Sequence, residues 1–229
     1  MSVSLSVVIP VRDGERYLAA AIASVLRQRP APAEVLVVDD GSTDGSAAVA
    51  ASFGDVVRCL PQPPRGIAAA RNRGVAEARG THVAFLDADD LWDDDRIAPQ
   101  LALLEGPPEA DLVGGLVEQF LSPDLPPAAA ARLRCPPGRE PALLPGTVLV
   151  RLDRFREVGP FDESLATGEF VEWMLRARAA GLREAMLDRR VLLRRIHGTN
   201  HGIVRRDAAT DYLRVARAAL ARRRRAGGS

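Results

Sequence analysis

Four short apolar runs, separated by helical patterns, constrain the fold of this chain more than any other feature of its sequence. The runs are rich in Val, Ile and Leu and occupy residues 5–9, 35–38, 56–60 and 83–86. Between them, the spacing of apolar and alanine residues predicts helices over 15–27, 46–53 and 67–78. Strands of this length that alternate with helices build a mostly parallel central sheet with helices on both faces. The sequence therefore predicts an α/β fold.

The second half of the chain carries weaker signals and starts with a proline-rich segment. Seven prolines lie among the 25 residues from 122 to 146, which predicts a connecting segment over the surface and not a linker between domains. Beyond it, the pattern predicts a strand over 147–151, a helix over 169–180, strands over 185–187 and 191–195, and a last helix from residue 207. We expect one domain over residues 1–229, with halves 1–110 and 111–206 and a C-terminal basic helix and tail over 207–229.

Composition narrows the classes of protein to which the chain can belong. No apolar run approaches the roughly 20 residues that span a bilayer, and the N-terminus lacks the basic region of a signal peptide. The two cysteines, Cys59 and Cys135, are too far apart in the sequence to indicate a disulfide framework or a thiolate metal site. We expect a cytoplasmic protein with no integral membrane segment, for which peripheral attachment to the inner membrane and a homodimer stay open.

The chain contains arginine but no lysine, and its charged residues are unevenly distributed. The net charge of the chain is +1, but residues 1–110 carry 10 arginines against 16 acids, whereas residues 111–229 carry 21 arginines against 14 acids. A coding bias towards arginine explains the missing lysine, and an anionic ligand that faces the basic half is the alternative. No aromatic residues are interleaved with the arginines at 222–225, so we expect no nucleic-acid partner.

Polar residues follow three of the predicted parallel strands at the point where each strand ends. In sheets of this kind, ligands bind in the crevice beyond the carboxyl ends of the strands. Asp87 and Asp89 lie on the same side of the chain because side-chain direction repeats every two residues. Two carboxylates so placed suit Mg²⁺ or Mn²⁺, which bind through one or two carboxylates together with substrate phosphates. The other polar strand ends are Pro10-Val11-Arg12 and Asp39-Asp40.

The three aspartates that follow, Asp93 to Asp95, have a different expected role. Acidic side chains are favourable at the start of a helix, and the apolar pattern predicts a helix over residues 94–104. We therefore expect these three to begin that helix. Only Asp87, Asp89 and Asp90 are then left to serve a cation.

Two further segments admit both a structural and a functional interpretation. Residues 39–46 suit a turn that is stabilised by local hydrogen bonds, and a carboxylate there can also accept hydrogen bonds from a base or a ribose. The helix predicted after Gly66 begins at a ready anion site, where Arg65 would clamp a diphosphate. The alternative for Arg65 is a solvated or paired arginine, which is the commoner state of arginines on helices.

Four segments taken together resemble the family 2 glycosyltransferases, which have the glycosyltransferase-A fold. They are VVIPVRD at 7–13, VVDDGSTD at 37–44, AARNRG at 69–74 and FLDADD at 85–90. The likeness is strong over residues 4–105 and looser over 146–200. It implies a metal-dependent, inverting transferase that moves a sugar from a nucleotide-diphospho-sugar to an acceptor. The donor would bind to residues 1–110 and the acceptor to residues 111–206.

The resemblance also implies roles for individual residues. The nucleotide-sugar site would contain Pro10, Val11, Arg12, Asp39, Asp40, Arg65, Asn72, Asp87 and Ala88. A bound Mn²⁺ or Mg²⁺ would have Asp89 as its direct ligand, with Asp87 close by. His197 would complete the metal site or touch the diphosphate, and the alternative for this histidine is a structural role.

The expected general base is altered in this sequence. Residues 158–165 resemble a turn of the family that precedes a Glu-Asp pair at the start of a helix, where the aspartate is the base. Here the pair is Glu169-Phe170. We predict Glu169 as the base and Glu172, one helical turn on, as the second candidate. The alternative is that Glu169 only caps the helix.

Phe170 also motivates a second hypothesis, a nucleotide-sugar-binding protein of the same fold with impaired catalysis. A nucleotidyltransferase is less consistent with the sequence, because the first strand is not followed by a glycine-rich loop. The donor base stays open among uridine, guanosine and thymidine. The acceptor stays open among a soluble metabolite, a peptide and a lipid-linked glycan. Trp92 and Trp173 would either stack on a sugar or belong to the core.

Overall fold

Nine strands and seven helices make up the described part of the chain, residues 3–198 of a computed structural model. The strands are β1 (Leu5–Val11), β2 (Glu34–Asp39), β3 (Val57–Pro61), β4 (His82–Phe85), β5 (Leu91–Trp92), β6 (Leu112–Leu121), β7 (Arg139–Ala142), β8 (Leu149–Arg151) and β9 (Glu184–Ile196). The helices are α1 (Glu15–Leu26), α2 (Ser46–Ala51), α3 (Ile67–Glu77), α4 (Ile97–Glu105), α5 (Pro127–Ala130), α6 (Leu152–Val158) and α7 (Glu169–Ala179). The helix predicted from residue 207 lies outside the described residues.

All nine strands form a single sheet in the order β3-β2-β1-β4-β8-β6-β9-β5, with β7 paired to β6. The first four strands of this order are parallel, as the alternation of strands and helices predicts. Beyond β4 the sheet is mixed, because β8 runs antiparallel to both β4 and β6 while β9 runs parallel to β6. The α/β fold is confirmed, and the parallel arrangement belongs to the half of the sheet that is built from residues 5–85.

Side chains of β1 reach both faces of the sheet. All seven of its residues are buried. Val7 and Ile9 join one apolar cluster with α1, whereas Val8 points to the opposite face and joins a second cluster with α3 and α7. Helix α3 lies close against β1 because Gly74 faces Val8, and a Cβ atom at Gly74 would overlap the valine side chain. Because β1 lies between β2 and β4 in the sheet, the ends of these three strands lie side by side, next to the starts of α1 and α3.

Some predicted elements differ from the observed ones. The segment 122–146 contains α5 and β7, and residues 184–196 form one strand of 13 residues in place of two short ones. Helix α4 begins at Ile97, so the prediction that Asp93 to Asp95 begin it is wrong. Asp93 instead accepts a hydrogen bond from Arg190 at 2.8 Å. This ion pair with β9 replaces the expected capping interaction.

Both tryptophans belong to the core, since Trp92 and Trp173 are buried. Neither is therefore available to stack on a sugar. Within the described residues, no helix is both long enough and apolar enough to cross a membrane.

Candidate functional site

A cleft of about 1120 Å³ opens where β1, β2 and β4 end. Its lining includes most of the residues predicted for the donor and the metal, namely Pro10, Val11, Arg12, Asp40, Arg65, Asp87, Ala88, Asp89 and His197. The opposite wall is formed by residues 163–166, which come from the turn before α7. Four predicted residues lie outside the lining, namely Asp39, Asn72, Glu169 and Glu172.

Asp40 holds the loop that leads into α3. Its Oδ1 atom accepts hydrogen bonds from Gln62 Nε2 and from the Arg65 N–H, both at 2.8 Å. Its Oδ2 atom accepts one from the Gly66 N–H, also at 2.8 Å. Gly66 is the residue that precedes the helix and has φ of 94°, a conformation that suits glycine. The carboxylate of Asp40 thus fixes the start of α3, and its Oδ2 atom accepts one hydrogen bond from the described residues.

Asp39 has a local role in the turn after β2. It is buried, and its Oδ1 atom accepts a hydrogen bond from the Ser42 N–H at 2.8 Å. The turn interpretation of this residue is the one that its contacts support. A direct contact between Asp39 and a nucleotide stays a prediction.

Two loops at the rim of the cleft are joined by reciprocal hydrogen bonds. Asp13 accepts a bond from the Thr43 N–H at 2.7 Å, and its own N–H donates to Ser42 Oγ at 3.0 Å. Glu15 accepts a bond from the Gly45 N–H at 2.6 Å. Asp13 adopts a left-handed φ of 51°, which the partner loop holds in place. The sequence analysis missed this pairing, because nothing local relates two turns that lie about 30 residues apart.

The aspartates after β4 point to three different partners. Asp87 Oδ1 accepts a hydrogen bond from Arg71 Nη2 at 2.6 Å. Asp89 Oδ2 lies 2.9 Å from His197 Nε2. Asp90 is buried and accepts a hydrogen bond from the Arg195 N–H at 2.8 Å. Burial, and then the charges of Asp89 and Asp87, raise the pKa of Asp90 well above its usual range. Asp90 therefore becomes neutral more readily than an aspartate in water.

The end of β9 supports this acidic turn. The Arg195 guanidinium lies between the rings of Tyr17 and Phe120, at 4.7 and 4.8 Å from their centroids, and its Nε atom donates to the Asp89 carbonyl at 2.8 Å. The His197 ring lies 5.1 Å from the Tyr17 ring. The sequence analysis did not single out Tyr17, and the alternation of side chains along β9 gives no signal for this contact.

Asp89 and His197 are the predicted ligands of a divalent cation, and their side chains contact each other directly. Neighbouring ligands of an octahedral Mg²⁺ at about 2.1 Å lie about 3 Å apart, and the 2.9 Å between Asp89 Oδ2 and His197 Nε2 fits that spacing. Residues 3–198 contain no group of three or more His, Cys, Asp or Glu residues arranged to hold a metal. Within these residues, Asp89 and His197 are two candidate ligands, and a cation held there would need oxygen atoms of the substrate to complete its coordination shell.

Neither predicted base faces the cleft. Glu169 is 6% exposed, and its Oε1 atom accepts a hydrogen bond from Arg71 Nη1. Glu172 pairs with Arg176 of the same helix at 2.9 Å. Phe170 is buried against Phe161, with ring centroids 6.3 Å apart. Helix α7 thus presents both glutamates to arginines and its phenylalanine to the core.

Asn72 fastens α3 to the turn before α7. Its side-chain amide donates to the Phe161 carbonyl at 3.0 Å and accepts from the Phe161 N–H at 2.8 Å. The amide also donates to Glu163 Oε1 at 3.0 Å. The predicted contact of Asn72 with the donor is not what this geometry favours, because its amide is used in joining the two halves of the chain.

Arg65 also reaches the acceptor half. Its Nη2 atom lies 2.7 Å from Glu163 Oε2 in a solvent-exposed ion pair at the mouth of the cleft. The side chain remains part of the lining, so an incoming anion can compete for it. Such an exposed pair is worth about 1 kcal/mol or less, which makes this exchange inexpensive.

Comparison with known proteins adds independent findings. The model of the family described as Glycosyl transferase family 2 matches residues 6–155. An uncharacterized glycosyltransferase of Rickettsia typhi is 29% identical over 209 residues, which are 84% of this chain and 64% of that protein. The glycosyltransferase GlyG of Streptococcus pneumoniae is 37% identical over 95 residues, which are 40% of this chain and 32% of that protein. The chain thus spans less than two thirds of the length of these relatives.

Solved structures show the same fold. The crystal structure of S. aureus TarS 1–349 in complex with UDP-GlcNAc has a TM-score of 0.74 and 20% sequence identity, and it covers 94% of this chain and 65% of that one. A structure of the same protein in complex with UDP has a TM-score of 0.70. The curled mixed sheet with its helices is therefore a glycosyltransferase-A fold.

Proposed function

Since the chain belongs to glycosyl transferase family 2, we propose that it transfers a sugar from a nucleotide-diphospho-sugar to an acceptor, with the help of Mn²⁺ or Mg²⁺ and with inversion at the sugar carbon. The observation that carries the proposal is the pair Asp89 and His197 at the end of the sheet, 2.9 Å apart and within the lining of a large cleft. The relative with a solved structure binds UDP-GlcNAc, so UDP-sugars are the first donors to examine.

The charges of the cleft favour a metal-dependent donor. Among residues 3–198, its lining contains four arginines, namely Arg12, Arg16, Arg65 and Arg194, and six acids, namely Asp13, Asp40, Asp87, Asp89, Asp90 and Glu163. Even when Asp90 is neutral, the acids outnumber the arginines by one, and such a lining gives a diphosphate no net attraction. A divalent cation offsets that difference and gives the diphosphate a positive partner.

The proposed division of roles follows the position of each side chain. Pro10, Val11 and Asp40 line the cleft and would contact the nucleoside, and Asp40 Oδ2, which accepts one bond from Gly66, would accept a second from a base N–H. Asp87 would contact the ribose, and Arg65 the diphosphate. Asp89 and His197 would hold the ion, which supplies positive charge next to the leaving nucleoside diphosphate.

The proton acceptor of an inverting transfer must be a carboxylate that faces the acceptor. Glu169 and Glu172 stay predictions for this role, and both would have to leave their arginines to fill it. The acceptor itself stays open among a soluble metabolite, a peptide and a lipid-linked glycan.

Phe170 favours one other candidate function, a protein that binds a nucleotide-sugar without transferring it. Its ring packs in the core at the position where the family pattern has an acid. Donor hydrolysis separates the two functions, because a binding protein shows no turnover in the wild type or in a Glu169→Gln variant.

Thermal unfolding in the presence of UDP-, GDP- and dTDP-sugars, each with and without Mn²⁺, tests the donor and the metal together. We expect one class of donor to raise the melting temperature only when Mn²⁺ is present, because a ligand at 100 times its Kd adds about 2.7 kcal/mol of stability. Asp89→Ala should abolish this increase and leave the ligand-free melting temperature within a few degrees. An Asp89→Ala variant that responds like the wild type would contradict the metal site.

A further inference from the structure

A buried arginine joins the donor half of the cleft to the acceptor half. Arg71 is 2% exposed, and its guanidinium binds Asp87 at the end of β4 through Nη2 and Glu169 at the start of α7 through Nη1. The two carboxylates outweigh the effect of burial and raise the pKa of Arg71, so the guanidinium stays charged. The acids lie 16 and 98 residues away in the sequence. This contact is therefore set by the fold and not by local structure.

The three side chains of this contact differ in their access to the cleft. The side chain of Asp87 is 37% exposed and contributes to the lining, whereas Arg71 and Glu169 are buried behind it. Arg71 donates a hydrogen bond to Oδ1 of Asp87, and within the described residues the Oδ2 atom of Asp87 has no hydrogen-bond partner. One oxygen of Asp87 is thus held by the protein while the other is available to a ligand.

Glu169 fixes the arginine in turn. The planar guanidinium of Arg71 donates from both of its terminal nitrogens, and its orientation is fixed fully only when both have an acceptor. Without Glu169, Nη1 would be a buried donor in need of a partner, and the arginine would turn away from Asp87. Asn72, the next residue of α3, binds the turn before α7. Two successive residues of α3 thus hold the first residue of α7 and the turn before it.

We propose that Glu169 and Arg71 form a positioning pair that orients Asp87 for the donor, and that Glu169 is not the proton acceptor. The proposal deepens the function proposed above and rests on it for the identity of the donor. The two roles of Glu169 predict opposite kinetic effects. Loss of a positioning residue weakens donor binding, whereas loss of a general base lowers kcat by about 10²- to 10⁴-fold and leaves donor binding unchanged.

Binding of UDP, GDP and dTDP, each with Mn²⁺, provides the first test. For the nucleotide that binds the wild type, we expect Arg71→Lys to raise Kd by about tenfold, which is about 1.4 kcal/mol. Glu169→Gln should raise Kd by about three- to fivefold, because glutamine keeps an oxygen for Nη1 of Arg71 and loses only the charge. In an Asp87→Asn background, Glu169→Gln should have little further effect on Kd. An unchanged Kd in Glu169→Gln, combined with a large fall in kcat, would overturn the proposal and make Glu169 the base.

Asp111→Asn is the matched control. Like Glu169, Asp111 is a buried acid that pairs with an arginine: it is 3% exposed and lies 3.1 Å from Arg183. Asp111 lies away from the cleft, because its backbone carbonyl accepts a hydrogen bond from the Arg151 N–H, and Arg151 pairs with His82 at the start of β4. The Asn variant should lose stability as Glu169→Gln does and keep the wild-type Kd for the nucleotide. An equal change of Kd in both variants would show that the effect is general destabilisation and would reject the positioning role.

Hydrogen exchange without nucleotide separates failure of this proposal from failure of the proposed function. If none of the nucleotides binds the wild type, the donor assignment fails, and the contact is still measurable. Asp87→Asn should then increase exchange in peptides that cover the first turns of α7, residues 169–174, because its side chain steadies Arg71 and through it Glu169. Exchange there that matches the wild type would reject the contact as a link between the two halves.

Discussion

Replacing Asp40 by asparagine should destabilise the protein far more than the same change at its neighbour Asp39. The carboxylate of Asp40 accepts hydrogen bonds from Gln62, Arg65 and Gly66, and all three are 2.8 Å long. An asparagine keeps one oxygen, which can retain the two bonds at Oδ1. Its amide nitrogen then faces the Gly66 N–H, so that two donors meet.

The magnitude follows from that count. A buried donor left without an acceptor costs about 1–3 kcal/mol, and exchanging a charged acceptor for a neutral one costs up to about 1 kcal/mol more for the two remaining bonds. The expected loss is about 1–4 kcal/mol. Asp39→Asn should lose less than about 1 kcal/mol, because Asp39 accepts its Ser42 bond with one oxygen that asparagine also has.

Urea unfolding of both variants at pH 7 measures this difference, provided that the m values stay equal. In thermal unfolding, a loss of 1 kcal/mol lowers Tm by about 2–4 °C for a chain of this size. Equal losses at the two positions would refute the reasoning, because both aspartates are buried at the same strand end and differ in the number of donors that they serve.

Three further changes test the packing away from the cleft. Burial, and then the charge of Arg151, lower the pKa of His82. The stability that comes from neutral His82 is therefore present above pH 6.5 and is lost as the pH falls towards the folded-state pKa. In urea unfolding, His82→Gln should lose less free energy of unfolding between pH 7 and pH 5 than the wild type does. Burial lowers the pKa of Arg96 to about 9. Arg96→Met leaves the Gly146 carbonyl and the Gln100 Oε1 atom without this donor, and it should cost about 2–4 kcal/mol in the same assay. Gly74→Ala should lower Tm, because the added methyl group overlaps Val8 and such overpacking costs about 1–3 kcal/mol of stability. A variant with the Tm of the wild type would show that α3 can move away from β1.

The parallel half of the sheet could be predicted from the sequence because its signals are local. Each of β1, β2 and β4 is a short apolar run that ends in a polar or acidic turn, and the helices between them have their own periodicity. The position of the cleft followed from this order alone, since parallel strands end at one edge of a sheet.

The second half of the sheet could not be predicted in the same way. Strand β9 pairs with β6 about 75 residues earlier, with register shifts near Leu116, and its charged residues hide the apolar alternation that a strand usually shows. Asp93 was expected to begin a helix, and the competing arginine that pairs with it lies 97 residues away. Within the site, the same limit applies to Arg71 and Glu169, whose contact depends on how α7 lies against α3.

Position 170 shows how far a family pattern can be transferred to this chain. The pattern places an acid there, but the Phe170 ring lies 6.3 Å from Phe161 and 6.2 Å from Trp173, in an aromatic cluster that also holds α6 against α7. An aspartate at this position would be buried among rings without a hydrogen-bond partner, which is costly for a charged group. Acid–base chemistry on this helix would therefore have to come from Glu169 or Glu172, whose carboxylates are bound to Arg71 and Arg176. Phe170 replaces the acid of the family pattern, and Glu169 is held by Arg71. Both features fit a role for the start of α7 in organising the donor site.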